Sequence, residues 1–492
     1  MAIPAIPAQG APWLSYAQGL DAEIRTGRLS DATLGATYGT VLPFTDPRIG
    51  GKGDGTTDNT AAFNAALALL APTGGTLFFP PGIYRINGAT DPVPGGIWLV
   101  GTGYDYHTPS ISTDRPVKHS VIRAGAAMTR LVQLGTDANV STSGQTGASI
   151  EKLILDGNSL ATTTLKLGAR RNRVINSQIY GGTQTGVHVG GQNGHVIGCV
   201  VEQSGVGDVV LVQGFWDNKV WQNQLRGVGT TGACVRIVGA QNTDVQLNHM
   251  WAGADGVSSA AEGLVVVATP ASDPNGITTH TVITDNTIES GQCPHVLIKS
   301  VSGGAIIRGV LINSNRFYQQ TPFNDLQAPV VRFAGQGNIS NVAVNDNMMT
   351  GIDNTHRYLS ILDVDNTGPL QSANRVTMIG NSGTFVAALT TGSLPAGSTS
   401  LYLRGNYIQN GSASVLSDKT GRATFSGTGA QTAFTIPHGL ASAPSSQRVV
   451  AGSAAAAGLF YVTADATNLT VTFTTAPATG TNNVVLNWQA EV

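Results

Sequence analysis

Charge is scarce in this chain. Asp, Glu, Lys and Arg together make up 11% of its 492 residues, less than half the usual share of about 25%. Stable helical surfaces need many more such side chains, so a helical protein is excluded. The charges nearly cancel. There are 27 Lys and Arg against 29 Asp and Glu, a net charge of −2. With no basic cluster in the sequence, no nucleic-acid partner is expected. Cys199, Cys234 and Cys293 are the three cysteines. They stand far apart without metal-ligand spacing, and they read as buried thiols rather than disulfides or a metal site. No apolar run reaches the roughly 18 residues of a membrane span, so no membrane insertion is expected. The opening MAIPAIPAQGAPW has no Lys or Arg before Arg25 and no apolar h-region, and it is not read as a secretory signal. No GK[ST] follows the glycines of GGKGDGTTDNT, so no phosphate-binding loop is present and no cofactor is expected.

Glycine, in contrast, is abundant, at 62 residues. Much of it punctuates a repeat that starts near Leu153. Fragments such as CVV, NQL, NHM, NTI, NRF, NMM and NYI recur 22 to 38 residues apart. Their apolar members are Ile179, Val201, Leu225, Met250, Ile288, Phe317, Met349 and Ile408, with an eroded copy at 381–383. A second short strand follows in most units. A unit this small cannot bury its apolar face alone, so neighbouring units must stack. The expected fold is all-β: a parallel β-helix solenoid, right-handed by the general rule for parallel crossovers. Asn223, Asn248, Asn286, Asn315, Asn347 and Asn406 recur two residues before the apolar position. They are expected to stack as an amide ladder at one corner of the coil.

The repeat sets the expected organisation. Residues 1–40 form a leader for attachment, and 41–110 cap the helix. Within the cap, a helix is expected from Asp58 to Leu70 with Asp58 as N-cap, and PTGGTLFFPPGIYRI reads as two strands joined at Pro80–Gly82. Residues 111–418 form the β-helix, and 419–492 read as a small sandwich-like domain of short alternating strands.

GKGDGTTDNTAAFNAAL, then GGTLFFPPGIYRI, then GGIWLVGTG resemble the N-terminal cap of the pectate-lyase-like β-helix superfamily. That family usually carries a second acid where this chain has Asn59. The C-terminal segment resembles a small module at the end of bacteriophage tail proteins, so that the whole resembles a phage tailspike. This resemblance implies a homotrimer, a leader attached to tail or baseplate proteins of the virion, and a bacterial surface polysaccharide as partner. A second resemblance is local. NHMWAGADGVSSAAEGLVVV is similar to a stretch in inulin fructotransferases, which implies Asp255 and Glu262 as a catalytic Asp and Glu.

The residues point in a related direction on their own. Strand side chains alternate faces, so the residue after each inward apolar one points outward. Rung by rung these are Tyr180, Glu202, Arg226, Trp251, Glu289 and Tyr318. Acids, a base and aromatic rings in one column suit a sugar, whose ring faces pack on π surfaces and whose hydroxyls bind charged groups. Trp221 is added to this groove because Trp216, Trp221 and Trp251 fall within 36 residues. Glycoside hydrolysis needs two carboxyls roughly 5–9.5 Å apart. Glu202 and Glu289 are expected about 14 Å apart, too far to be the pair. The unit from Met250 to Ile288 is the longest and must carry a loop, where function concentrates. Asp255, Glu262 and Glu289 are therefore the expected catalytic acids, and a hydrolase is favoured over a lyase. A receptor-binding protein that holds glycan without cutting it, and a purely structural spike, are the competing readings.

Overall fold

The computed structural model describes residues 41–492 except 104–117, 138–146, 204–205, 228–231, 253–261, 274, 291–292, 320–327, 352–356, 366–367, 369, 385, 393, 396–397, 399–400, 411–412 and 441. The expected leader and Asp255 lie outside the described residues. Two compact units divide at Arg236 and Ile237.

In the first unit the chain winds through three parallel sheets, one strand of each per turn. One full turn is Arg173–Ile175 on the first face, Gln178–Tyr180 on the second and Thr185–Val189 on the third. The next turn repeats them as His195–Ile197, Val200–Gln203 and Val210–Gln213. Val174 pairs with Val196, Ile179 with Val201 and Val187 with Val210, so apolar residues meet their equivalents one rung away. These side chains are buried completely. Strands too short to stand alone thus share one interior.

The cap departs from expectation in detail. The helix runs Thr60–Leu70, its N-cap is Asn59, and Asn59 makes no side-chain cap bond. Asp58 instead accepts from the Thr60 backbone N–H and hydroxyl at 2.9 and 2.6 Å. The stretch GGKGDGTTDNT contains a strand, Asp54–Asp58, paired irregularly with Gly82–Ile86. Buried Asn59 accepts from the Lys52 N–H and donates to the Lys52 and Thr57 carbonyls. An ionised carboxylate could not make those donations, which explains an amide at this position.

The second unit has the same coil. Its second face comprises His249–Ala252, Thr287–Ser290, Arg316–Gln319 and Met348–Thr350. Here the asparagine ladder is explicit. Nδ2 of Asn248, Asn286, Asn315, Asn347 and Asn381 donates to Oδ1 of the next asparagine, the last being Asn406, at 2.8–3.0 Å. The eroded copy at Asn381 is thus a full member. Each Oδ1 also takes the backbone N–H one rung below, as Asn315 does from Asn286 at 3.0 Å. The residue before each ladder position turns the corner with positive φ, as at Leu247, Asp285, Ser314 and Asp346. After the coil, two antiparallel sheets follow. Asp418–Gly427, Gly480–Glu491 and Ser446–Ala451 make one; Ala433–Pro437, Asn468–Phe473 and Phe460–Ala464 make the other. They enclose a core that includes Phe434, Phe473 and Trp488.

Removing one ladder amide leaves the amide and backbone N–H beneath it without an acceptor in a dry corner. Asn315→Ala should therefore lower unfolding stability by about 2–4 kcal/mol, read from urea melts. Leu247 holds a left-handed conformation with an exposed side chain, which costs a leucine about 1–2 kcal/mol. Leu247→Asn should raise stability by about 1 kcal/mol in the same melts, since asparagine tolerates that conformation.

Candidate active site on the second face

The outward row exists in each unit. In the first, Tyr180 pairs with Glu202 and Glu202 with Arg226. In the second, Trp251 pairs with Glu289 and Glu289 with Tyr318. Each residue follows a completely or almost completely buried apolar neighbour, Ile179, Val201, Leu225, Met250, Ile288 or Phe317, and this alternation turns it outward. Trp221 is a correction. It belongs to Lys219–Trp221 on the first face, in register with Ile197, so the alternation that builds the row never includes it. Its ring carries the Lys219 ammonium 4.1 Å above its centre.

The row extends below Tyr180. Asp156 pairs with Tyr180, and Arg123 with Asp156. The sequence reading began the row at Tyr180 and so left out Asp156 and Arg123. Applying the same offset to Leu155 and Ile122 would have found both residues. The Asp156 side chain is 3% exposed and meets Arg123 at 2.6 Å. Burial raises its pKa, against the pull of the Arg123 charge. Glu202 is likewise enclosed, and its Oε1 takes Arg226 Nη1 at 3.0 Å.

Glu289 has a different setting. Its Oε1 lies 3.0 Å from Nε2 of His249, and the imidazole stacks on Trp251 with ring centres 4.6 Å apart. His249 occupies the second outward row, on the other side of Met250. No single-row reading of the sequence could include it, although the same alternation marks it. The arrangement is a carboxylate and an imidazole in contact, both partly open to solvent, with Trp251 and the exposed Tyr318 on the adjacent rungs. A pair of this kind can pass a proton to or from a bound hydroxyl or glycosidic oxygen.

Glu262 is held elsewhere. Its Oε1 accepts from Lys299 Nζ at 2.6 Å, and Lys299 belongs to Val296–Ser300 on the third face. The described contacts do not join Glu262 to Glu289, and Asp255 is not described. Third-face bases follow a common pattern: Lys166 meets Asp137 at 2.9 Å, Arg236 meets Asp208 at 2.9 Å and Arg332 meets Asp363 at 2.7 Å. Among the described residues, no group of three or more His, Cys, Asp or Glu could hold a metal ion. No described helix is long and apolar enough to cross a membrane.

Residues 48–224 match the family model described as rhamnogalacturonase A/epimerase, pectate lyase-like. That stretch, about a third of the chain, is similar to the pectate-lyase-like family. Over 61 residues the chain is 41% identical to mannuronan C5-epimerase AlgE5 of Azotobacter vinelandii, a match covering 11% of this chain and only 6% of that protein. Among solved structures, the Dettilon tailspike protein is 13% identical with a TM-score of 0.52, over 94% of this chain and 96% of that one. That likeness establishes the shared fold. The DFA-IIIase of Arthrobacter chlorophenolicus A6 is 11% identical with a TM-score of 0.49, over 75% of this chain and 93% of that one.

Two imidazoles, His295 buried and His188 half-buried, set a pH limit. His295 lies in the interior, where Nε2 faces the Tyr358 hydroxyl at 3.3 Å and the ring packs edge-on against Phe317. Burial lowers its pKa to about 4. His188 is also lowered to about 4, first by burial and then by the Lys166 charge. Both values lie below the unfolded value of about 6.5. The stability the neutral rings contribute is therefore present above pH 6.5 and lost as pH falls toward 4. Urea midpoints should drop across that window, by on the order of 2–3 kcal/mol per imidazole. His188→Gln should flatten the decline.

Proposed function

We propose that this protein is a phage tailspike that binds and cleaves a bacterial surface polysaccharide along the second face of its β-helix. The observation that carries the reading is Glu289 in contact with His249 between Trp251 and Tyr318. Aromatic faces hold sugar rings by apolar contact, and adjacent proton donors and acceptors bind hydroxyls or protonate a leaving oxygen. The alternating row Asp156, Tyr180, Glu202, Arg226 supplies similar groups on the first unit. The match to a pectate-lyase-like family model supports a polysaccharide-acting enzyme, and the fold shared with a tailspike supports a virion tail location.

In this reading Glu289 is one catalytic acid, with His249 as its proton partner. Asp255, from the long unit before it, supplies the second carboxyl, while Glu262 is held by Lys299. The reaction is glycoside hydrolysis, in which one carboxyl acts as acid and the other as base or nucleophile. The protein works as a homotrimer attached to tail or baseplate proteins through residues 1–40. A second reading, a receptor-binding protein that holds glycan without cutting it, is favoured by one feature: Glu202 and Glu262 are each neutralised by a base.

Mass spectrometry of products from candidate host polysaccharides separates the readings. Hydrolysis yields fragments carrying one added water; elimination yields unsaturated fragments. Glu289→Gln should reduce turnover by at least about a hundredfold while leaving polymer binding within a few-fold. Trp251→Ala should weaken binding about tenfold. Full activity in Glu289→Gln would remove it from the mechanism, and binding without any released fragment would establish the receptor reading.

A further inference from the structure

The first face of the first unit carries a row of a different kind. Arg173, His195 and Lys219 occupy consecutive rungs in direct register. Each precedes a completely buried valine, Val174, Val196 or Val220, so all three point outward. Below them the row passes through Ser149 to Trp98, which is 44% exposed. At the upper end, Lys219 lies over the ring of Trp221.

What distinguishes this row is its lack of counter-charge. On the other two faces, the bases described above meet carboxylates at 2.6–3.0 Å. Among the described residues, no carboxylate pairs with Arg173, His195 or Lys219. Rungs are about 4.8 Å apart, so three basic groups are stacked within about 10 Å. Like-charged neighbours on adjacent strands destabilise a sheet. Burial first, and then the Lys219 and Arg173 charges, lower the pKa of His195, so Arg173 and Lys219 are the lasting charges of the row. A chain that places so few charges, and pairs most of those on its other faces, leaves these without a described carboxylate partner, with Trp98 at the foot of the row and Trp221 beside Lys219.

We infer that this row is a second glycan-binding site, specific for an anionic polysaccharide such as a polyuronate, whose carboxylates supply the missing counter-charge. Arg173 and Lys219 contact successive acidic groups, and Trp98 and Trp221 pack against sugar rings. A neutral glycan would leave the repulsion in place, and with a net charge of −2 the whole protein does not attract a long nucleic acid. The polysaccharide class rests on the function proposed above; the preference for a polyanion rests on this row alone.

The test is binding of the full chain to polygalacturonate, to dextran and to single-stranded DNA by affinity electrophoresis, at two salt concentrations. Polygalacturonate should bind best, and more weakly at high salt. Arg173→Gln and Lys219→Gln should each weaken it about tenfold. Lys219→Glu should weaken it further. Affinity is read without turnover, so failure of cleavage and failure of this row are separable. Thermal melts should find the row variants at least as stable as the parent, because repulsion is relieved. Unchanged polygalacturonate affinity in all three row variants would overturn the assignment. So would equal affinity for dextran, and DNA binding as tight as polyuronate binding would replace the glycan with a general polyanion.

Discussion

The corner amide ladder is the constraint on which the rest of this molecule depends. On the second face the strands have only three or four residues, so each rung there offers few backbone bonds to hold its register. The asparagines from Asn248 to Asn406 solve this by tying each turn to the next through both side chain and backbone. The ladder sits directly after a residue in the left-handed conformation and directly before a strand, so it fixes where every second-face strand begins. A slip of one residue would send every side chain to the opposite face. With the register locked, Ile288 points into the core and Glu289 out of it, and the same holds for the equivalent pairs above and below.

Locked register turns sequence into surface chemistry in a simple way. Residues that recur once per turn become columns about 4.8 Å apart. Opposite charges in one column neutralise each other, as Arg123 and Asp156 do, or Glu202 and Arg226. Aromatic residues in a column bracket the acid between them, as Trp251 and Tyr318 do on either side of Glu289. With charge so scarce, each face has its own character. The second face mixes acids with rings, the third is dominated by ion pairs, and the first carries unpaired bases in the first unit.

Much of this was legible in the residue order. Inward positions, the ladder asparagines and the row Tyr180, Glu202, Arg226 depend on a period of two within strands and on recurrence between turns, both visible in a string of letters. Trp221 shows where proximity in sequence misleads: it is five residues from Arg226, a member of the second-face row, but a corner intervenes, and a corner changes the face. Asp58 was legible as a helix-start residue, while the exact boundary was not, because its carboxylate serves Thr60 from one position before the observed cap, Asn59.

The sequence by itself determined the coil, since the stacking of equivalent residues is written in the repeat and no other arrangement buries those apolar positions. It also determined which residues face outward. Only the tertiary structure decided their partners: that Glu289 meets His249, that Glu262 is taken by Lys299, that Asp156 is buried against Arg123, and that Arg173, His195 and Lys219 are left together. Those outcomes depend on which residues stand one rung apart, across turns of unequal length. Unequal loops hide that spacing in the linear chain, and hydrogen bonding between rungs restores it in space.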